Sequence, residues 1–260
     1  MEPEEVLAVL RNSVAGCVDK ARKVAVAYSG GLDSSLLARL GSEVAEIVCY
    51  SAAIGGSHDA RFVSRHGESD GFAVKLIVIE DSELPRMMSL ASRIMGTEDP
   101  MRIAYSIPTV VVIDRCSENL VLAGNGADEL FAGYAKYSLR RNEASRMMEE
   151  DLNKSLEEAR FLSSYALSRG RRLRLPFLAD DVVTLARKIS LDQKLAGDER
   201  KGVLREVGRL VGLAGAERPK KAAQYSSGTL GAMRRLAKRE GLSVSEWTRR
   251  TASDHHLGKD

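Results

Sequence analysis

The chain has 260 residues, 44% of them hydrophobic, with 39 Lys or Arg against 36 Asp or Glu for a net charge of +3. That length accommodates one large domain, or one domain with a helical lobe, and the apolar fraction can furnish a real core. No apolar run approaches the roughly 18 residues that span a membrane, the acidic start Met1-Glu2-Pro3-Glu4-Glu5 is unlike a secretion signal, and Cys17, Cys49 and Cys116 are too scattered for a disulfide framework or thiolate zinc site, so a cytoplasmic, thiol-reduced protein is expected.

Apolar patterning predicts a helix over 4–21 and a buried strand over 24–28, followed at once by Ser29-Gly30-Gly31-Leu32-Asp33-Ser34-Ser35 and a helix from about 34 to 42. A strand that ends in two glycines and opens a helix is built to hold an anion. The first helical N–H groups are unpaired and carry the positive end of the helix dipole, Gly30 and Gly31 let the anion approach the main chain, and Ser29, Ser34 and Ser35 add hydroxyls. This pyrophosphate cradle differs from the G-x-x-x-x-G-K-[ST] loop by carrying an acid, Asp33, and no lysine. An acid beside phosphates makes sense where a divalent cation bridges them.

Strand 44–51, helix 58–71, strand 73–79, helices 83–95 and 103–117 and strand 119–123 follow. Short apolar strands without clean alternation, separated by helices, point to an α/β protein with a doubly wound, mostly parallel sheet covered on both faces, its ligands beyond the carboxyl ends of the strands. Strand 119–123 runs into Gly124-Asn125-Gly126-Ala127-Asp128-Glu129-Leu130-Phe131, again glycines followed by an acid at a helix start. If the two strand ends share a cleft, Asp33 and Asp128 are the natural Mg²⁺ pair. Beyond residue 135 only helices are predicted, over about 139–168, 178–190, 200–212, 229–240 and 243–251, with His255-His256 in a polar tail. The expected organisation is therefore an α/β domain over 1–135 and a helical lobe over 136–260 packed on it. Residues 1–150 carry net −6 and residues 151–260 net +9. The basic half suits solvated helices, a polyphosphate or a nucleic acid.

The first motif resembles the SGGxDS signature of N-type ATP pyrophosphatases, which split ATP between the α and β phosphates and pass AMP to a substrate. The second resembles the SGEGADELFGGY segment of asparagine synthetases. Arg174-Leu175-Pro176-Phe177-Leu178, Lys201-Gly202-Val203-Leu204-Arg205-Glu206 and Arg218-Pro219-Lys220-Lys221-Ala222-Ala223-Gln224-Tyr225 resemble that family's R-x-P-F-L-D, K-x-x-L-R-E and lysine-bearing R-x-K segments in the same order. The resemblance covers about residues 24–228 and implies the PP-loop (adenine nucleotide alpha-hydrolase) fold. It implies an ATP-dependent, AMP- and pyrophosphate-forming amide ligase that adenylates a small-molecule carboxylate for attack by ammonia or another amine. It places ATP against Ala27, Ser29, Gly30, Gly31, Asp33, Ser34, Ser51, Gly124 and Gly126, Mg²⁺ on Asp33 and Asp128, and a catalytic cation at Lys220 or Lys221.

Three departures bear on the substrate. Residue 2 is Glu where amidotransferase relatives carry a catalytic Cys, so no glutaminase domain is expected in the chain and ammonia would come from solution or a separate glutaminase partner. The motif's usual Glu is Asn125, and an amide can orient but neither take a proton nor carry charge. Arg172 and Ala179 replace acids of the R-x-P-F-L-D segment, which places aspartate as substrate in question. The alternative of a different class is an RNA-modifying enzyme that adenylates a base for sulfur or nitrogen transfer, kept open by the basic run Arg169 to Arg174.

Overall fold

In a computed structural model, which describes residues 1–55, 63, 65, 67–197, 199–217 and 228–257, α1 (Pro3–Val18) leads into β1 (Lys23–Ala27). There follow α2 (Leu32–Gly41), β2 (Glu46–Ile54), β3 (Val74–Ile79), α3 (Leu84–Met95), α4 (Pro100–Arg115), β4 (Leu120–Leu122) and α5 (Ala127–Leu130). The second half runs α6 (Ala135–Leu139), α7 (Ala144–Ser168), β5 (Arg172–Arg174), α8 (Asp180–Lys188), α9 (Leu191–Lys194), the two-residue strands β6 (Leu195–Ala196) and β7 (Glu199–Arg200), α10 (Gly202–Leu210), α11 (Thr229–Arg239) and α12 (Val244–Leu257).

The main sheet has the order β3-β2-β1-β4-β5, and every pairing in it is parallel. The chain lays β2 and β3 to one side of β1, then crosses over to place β4 and β5 on the other. Strand order thus reverses between β1 and β4, which opens a crevice at their carboxyl ends. Alternation along the strands divides the core in two. Val24 and Val26 join the layer built with α1, α2, α8 and α10, whereas Ala25 joins the layer of α3, α4, α11 and α12. Helices on both faces explain why the strands read as continuous apolar runs.

The sequence anticipates most elements within a few residues; the exceptions have physical reasons. β5 lies where only helices were expected. It is three residues long with one buried side chain, Leu173, between two exposed arginines, too short to show a period, and its charges suit a sheet edge. The helix expected from 34 begins at Leu32, which puts Asp33 and Ser34 in its first turn. The helix expected from 103 begins at Pro100, where Asp99 accepts the Met101 N–H at 2.8 Å as an N-cap. The helix expected over 139–168 is split, α6 ending at Leu139 and α7 starting at Ala144. The last helix reaches Leu257, so His255 and His256 belong to it rather than to a tail. Of the helix expected over 58–71, residues 67–70 are helical and most of its first half lies outside the described residues. No described helix is long and apolar enough to cross a membrane.

Candidate active site

The loop after β1 is held in shape by its own hydroxyls. Gly30 takes φ +72°, a left-handed conformation that favours glycine. Ser29 N–H donates to Ser34 Oγ at 3.2 Å, and Ser34 Oγ donates to Gly31 C=O at 3.0 Å. Gly31 is the N-cap of α2, and no side chain caps that helix start, which leaves its first N–H groups without an intrahelical partner. Behind the loop, Ser35 and Tyr28 hydroxyls donate to Asp70 at 2.7 and 3.1 Å and tie α2 to the segment before β3.

Across the crevice, the turn after β4 places Asp128 and Glu129 on α5, which starts at Gly126 with φ +93°. Because β1 and β4 are adjacent and parallel, Asp33 and Asp128 meet at the strand-order reversal. Both contact one side chain, Lys201: its Nζ lies 2.6 Å from each Asp33 carboxylate oxygen and 2.6 Å from Asp128 Oδ1. The Lys201 side chain is 4% exposed. Burial works against its charge, but Asp128 and Asp33 outweigh it and hold the ammonium above the ordinary lysine value. Lys201 has φ +61°, an unfavourable conformation for a residue with a Cβ that persists only where the surroundings impose it. Arg205 imposes it here, donating to Arg200 C=O at 3.0 Å and to Ala216 C=O. Gly133 closes the arrangement: a Cβ there would collide with the Asp128 carboxylate and the Lys201 stem.

One cleft gathers these groups. Ala27, Ser29, Asp33, Ser34, Ser51, Gly124, Asn125, Gly126 and Asp128 line it together. Gly30 and Gly31 shape the loop without being among its lining residues. Lys220 and Lys221 lie outside the described residues. The cleft also holds residues that the sequence reading did not single out: Tyr105, Glu129, Tyr134, Ser155 and Glu158. Lys201 and Glu129 stand inside the quoted motifs, so a signal was present but no role was attached to it. Glu158 had a fainter one: it is an acid on the buried stripe of α7, among Met148, Leu152, Ser155, Leu162 and Ala166. Tyr105 had none. The run Arg169 to Arg174 is partly consumed by the fold, since Arg169 pairs with Asp114 at 2.8 Å and Arg171 donates to Cys116 C=O at 2.5 Å.

Burial first, then the charge of Asp128, pushes Glu129 up from 4.5 to about 7, against the hydrogen bond that it accepts from Tyr134. A carboxyl whose folded value is raised holds its proton more tightly in the native state, so stability falls as pH rises between the two values. In metal-free protein, unfolding free energy is expected to drop by about 2 kcal/mol between about pH 5 and about pH 8 through this group. Glu129→Gln should flatten that part of the profile in urea titrations with chelator present; an unchanged slope would exclude Glu129 as its source.

An open parallel sheet with an S-G-G-x-D-S loop after its first strand, faced by a second acid across the strand-order reversal, defines the PP-loop class of α/β proteins. The chain matches the family described as Asparagine synthase over residues 5–173 and again over 139–257, and it belongs to that family. It is 30% identical over 279 aligned positions to a Methanocaldococcus jannaschii protein provisionally named asparagine synthetase (glutamine-hydrolysing) 1, an alignment that covers 90% of this chain and 51% of that relative. The chain thus spans about half the length of the curated relative it matches. At family level, membership supports an ATP-dependent function of the amide-ligase kind.

Proposed function

We infer that the chain catalyses AMP- and pyrophosphate-forming activation of a carboxylate, followed by capture of the acyl-adenylate by ammonia or another amine. The observation that carries this is the meeting of Asp33 and Asp128 on Lys201 beside an uncapped helix N-terminus, with both acids lining one cleft. The phosphates of ATP would lie against residues 29–35 and the adenine near the ends of β1 and β2, beside Ala27 and Ser51. Two carboxylates that already converge on one cation offer the hard oxygen donors that suit Mg²⁺, which needs only one or two of them beside phosphates and water. When bound, Mg²⁺ would neutralise polyphosphate charge. Lys220 or Lys221 would add positive charge where pyrophosphate leaves. Asn125 lines the cleft but can only orient the amine, so the chain would run adenylation better than amide formation from aspartate. A separate glutaminase is a plausible source of ammonia, since the relative is named glutamine-hydrolysing.

The test is carboxylate-dependent exchange of labelled pyrophosphate into ATP, followed by amide formation with ammonium. Exchange should depend on carboxylate and on Mg²⁺. Asn125→Glu should speed the amine step more than the exchange, since general-base help contributes about 10²–10⁴ in rate. Absence of exchange with every carboxylate tried would remove the adenylation reading. Efficient conversion of aspartate by the unaltered chain, with Asn125→Glu neutral or harmful, would show that Asn125 does not limit the second step.

A further inference from the structure

The part of the cleft lined by α4, α5 and α7 is chemically one-sided. Glu129 accepts the Tyr134 hydroxyl at 2.8 Å, and Glu158 accepts the Tyr105 hydroxyl and Arg102 Nε, the latter at 2.9 Å. Among the described residues that line the cleft there is no lysine or arginine. Arg102 does not line it, and Lys201 is taken by Asp33 and Asp128. Two further polar groups open into this part. Ser155, one turn before Glu158 on α7, is 6% exposed and lines the cleft. The Asn125 amide lines the cleft as well. A hydroxyl on a mostly buried residue that opens into the cleft is placed to pair with a ligand rather than with the protein.

We propose, on the footing of the carboxylate-activating function above, that the substrate is an amino monocarboxylate whose ammonium group is held by Ser155, Asn125, Glu129 and Glu158. An ammonium has three donors and no acceptor; this part offers a hydroxyl oxygen, an amide oxygen and two carboxylates. Where Glu129 is ionised, a second carboxylate placed here would meet its like charge in a partly desolvated cleft, while Glu158 is already paired with Arg102. Selection against dicarboxylic acids therefore comes from repulsion as much as from the favourable contacts with the amine. Asn125 fits this reading, since an amide keeps an acceptor oxygen without adding a third charge.

Three matched sets of carboxylates separate the possibilities in the Mg²⁺-dependent exchange assay on the full chain. β-Alanine and γ-aminobutyrate carry the amine; propionate and butyrate lack it; aspartate and glutamate add a carboxylate to the same skeletons. The amino monocarboxylates are expected to exceed both other sets by about 100-fold in kcat/KM. Ser155→Ala, a small change that leaves packing intact, should lower kcat/KM about 10-fold for the amino monocarboxylates, chiefly through KM, and leave propionate unchanged. Glu158→Gln should narrow the preference over butyrate, provided its thermal unfolding shows a folded protein. Exchange with aspartate or propionate equal to or above that with β-alanine would overturn the proposal while leaving carboxylate activation standing. An equal effect of Ser155→Ala on all three sets would overturn it as well. No exchange with any of the six would bring down the activating function, and this assignment with it.

Discussion

Asp33→Asn and Asp128→Asn are each expected to lower Mg²⁺-dependent pyrophosphate release from ATP by about 10²–10³-fold or more, with the fold retained. Each substitution keeps the side chain's shape and removes its charge. Asp33 is in the first turn of α2 and Asp128 in the first turn of α5, so the change falls at the two points where the crevice narrows onto one cation. Both acids are partly exposed, 23% each, and reach the cleft from opposite walls. Neither can be replaced by a neighbour without moving a strand end. Losing one carboxylate leaves a single acid facing Lys201 and removes one of the two oxygen donors open to a divalent ion. The readout is pyrophosphate release against Mg²⁺ concentration, with circular dichroism as the control for folding. Near-unaltered release by either folded variant would sink the shared-metal assignment.

Lys201→Met is expected to cost about 3–5 kcal/mol of stability in metal-free protein, because it leaves two converging carboxylates with no buried cation between them. The loss should be smaller with Mg²⁺ present. A cation bound to the native site stabilises it by mass action, and the variant presents that site without a competing ammonium. Thermal unfolding with chelator and with Mg²⁺ would then show a larger metal-induced rise in Tm for the variant than for the unaltered chain. The effect has a second source: the left-handed backbone at residue 201 is sustained by Arg205 and by the lysine's own ion pairs, and once the pairs are gone the strain is less well opposed. A loss below about 1 kcal/mol, within the range of ordinary substitutions, together with an unchanged response to Mg²⁺, would show that the lysine neither bridges the acids nor competes for their site.

Local chemistry was enough to place the phosphate loop. Val24 to Tyr28 must be buried, Gly30 must turn, and Asp33 with Ser34 must open a helix, whatever else the chain does. The same holds for the turn at Gly124 to Glu129. Repetition of one device at two strand ends made Asp33 and Asp128 a candidate pair, because parallel strands of one sheet present their carboxyl ends on the same side. The strand order itself, with β1 and β4 adjacent, was not legible: it is fixed by crossovers and by the packing of two helical layers, and no local pattern encodes which strand neighbours which.

The sequence by itself thus determined the doubly wound class and the glycine-rich turns that carry Asp33 and Asp128, since each follows from hydrogen bonding and backbone freedom within about ten residues. Only the tertiary structure decided that Lys201, 168 positions from Asp33 along the chain, bridges those acids, and that Ser155 and Glu158 from α7 face the same cleft as Glu129. A buried charge is tolerated only where partners from distant segments converge on it, and that convergence belongs to the folded chain.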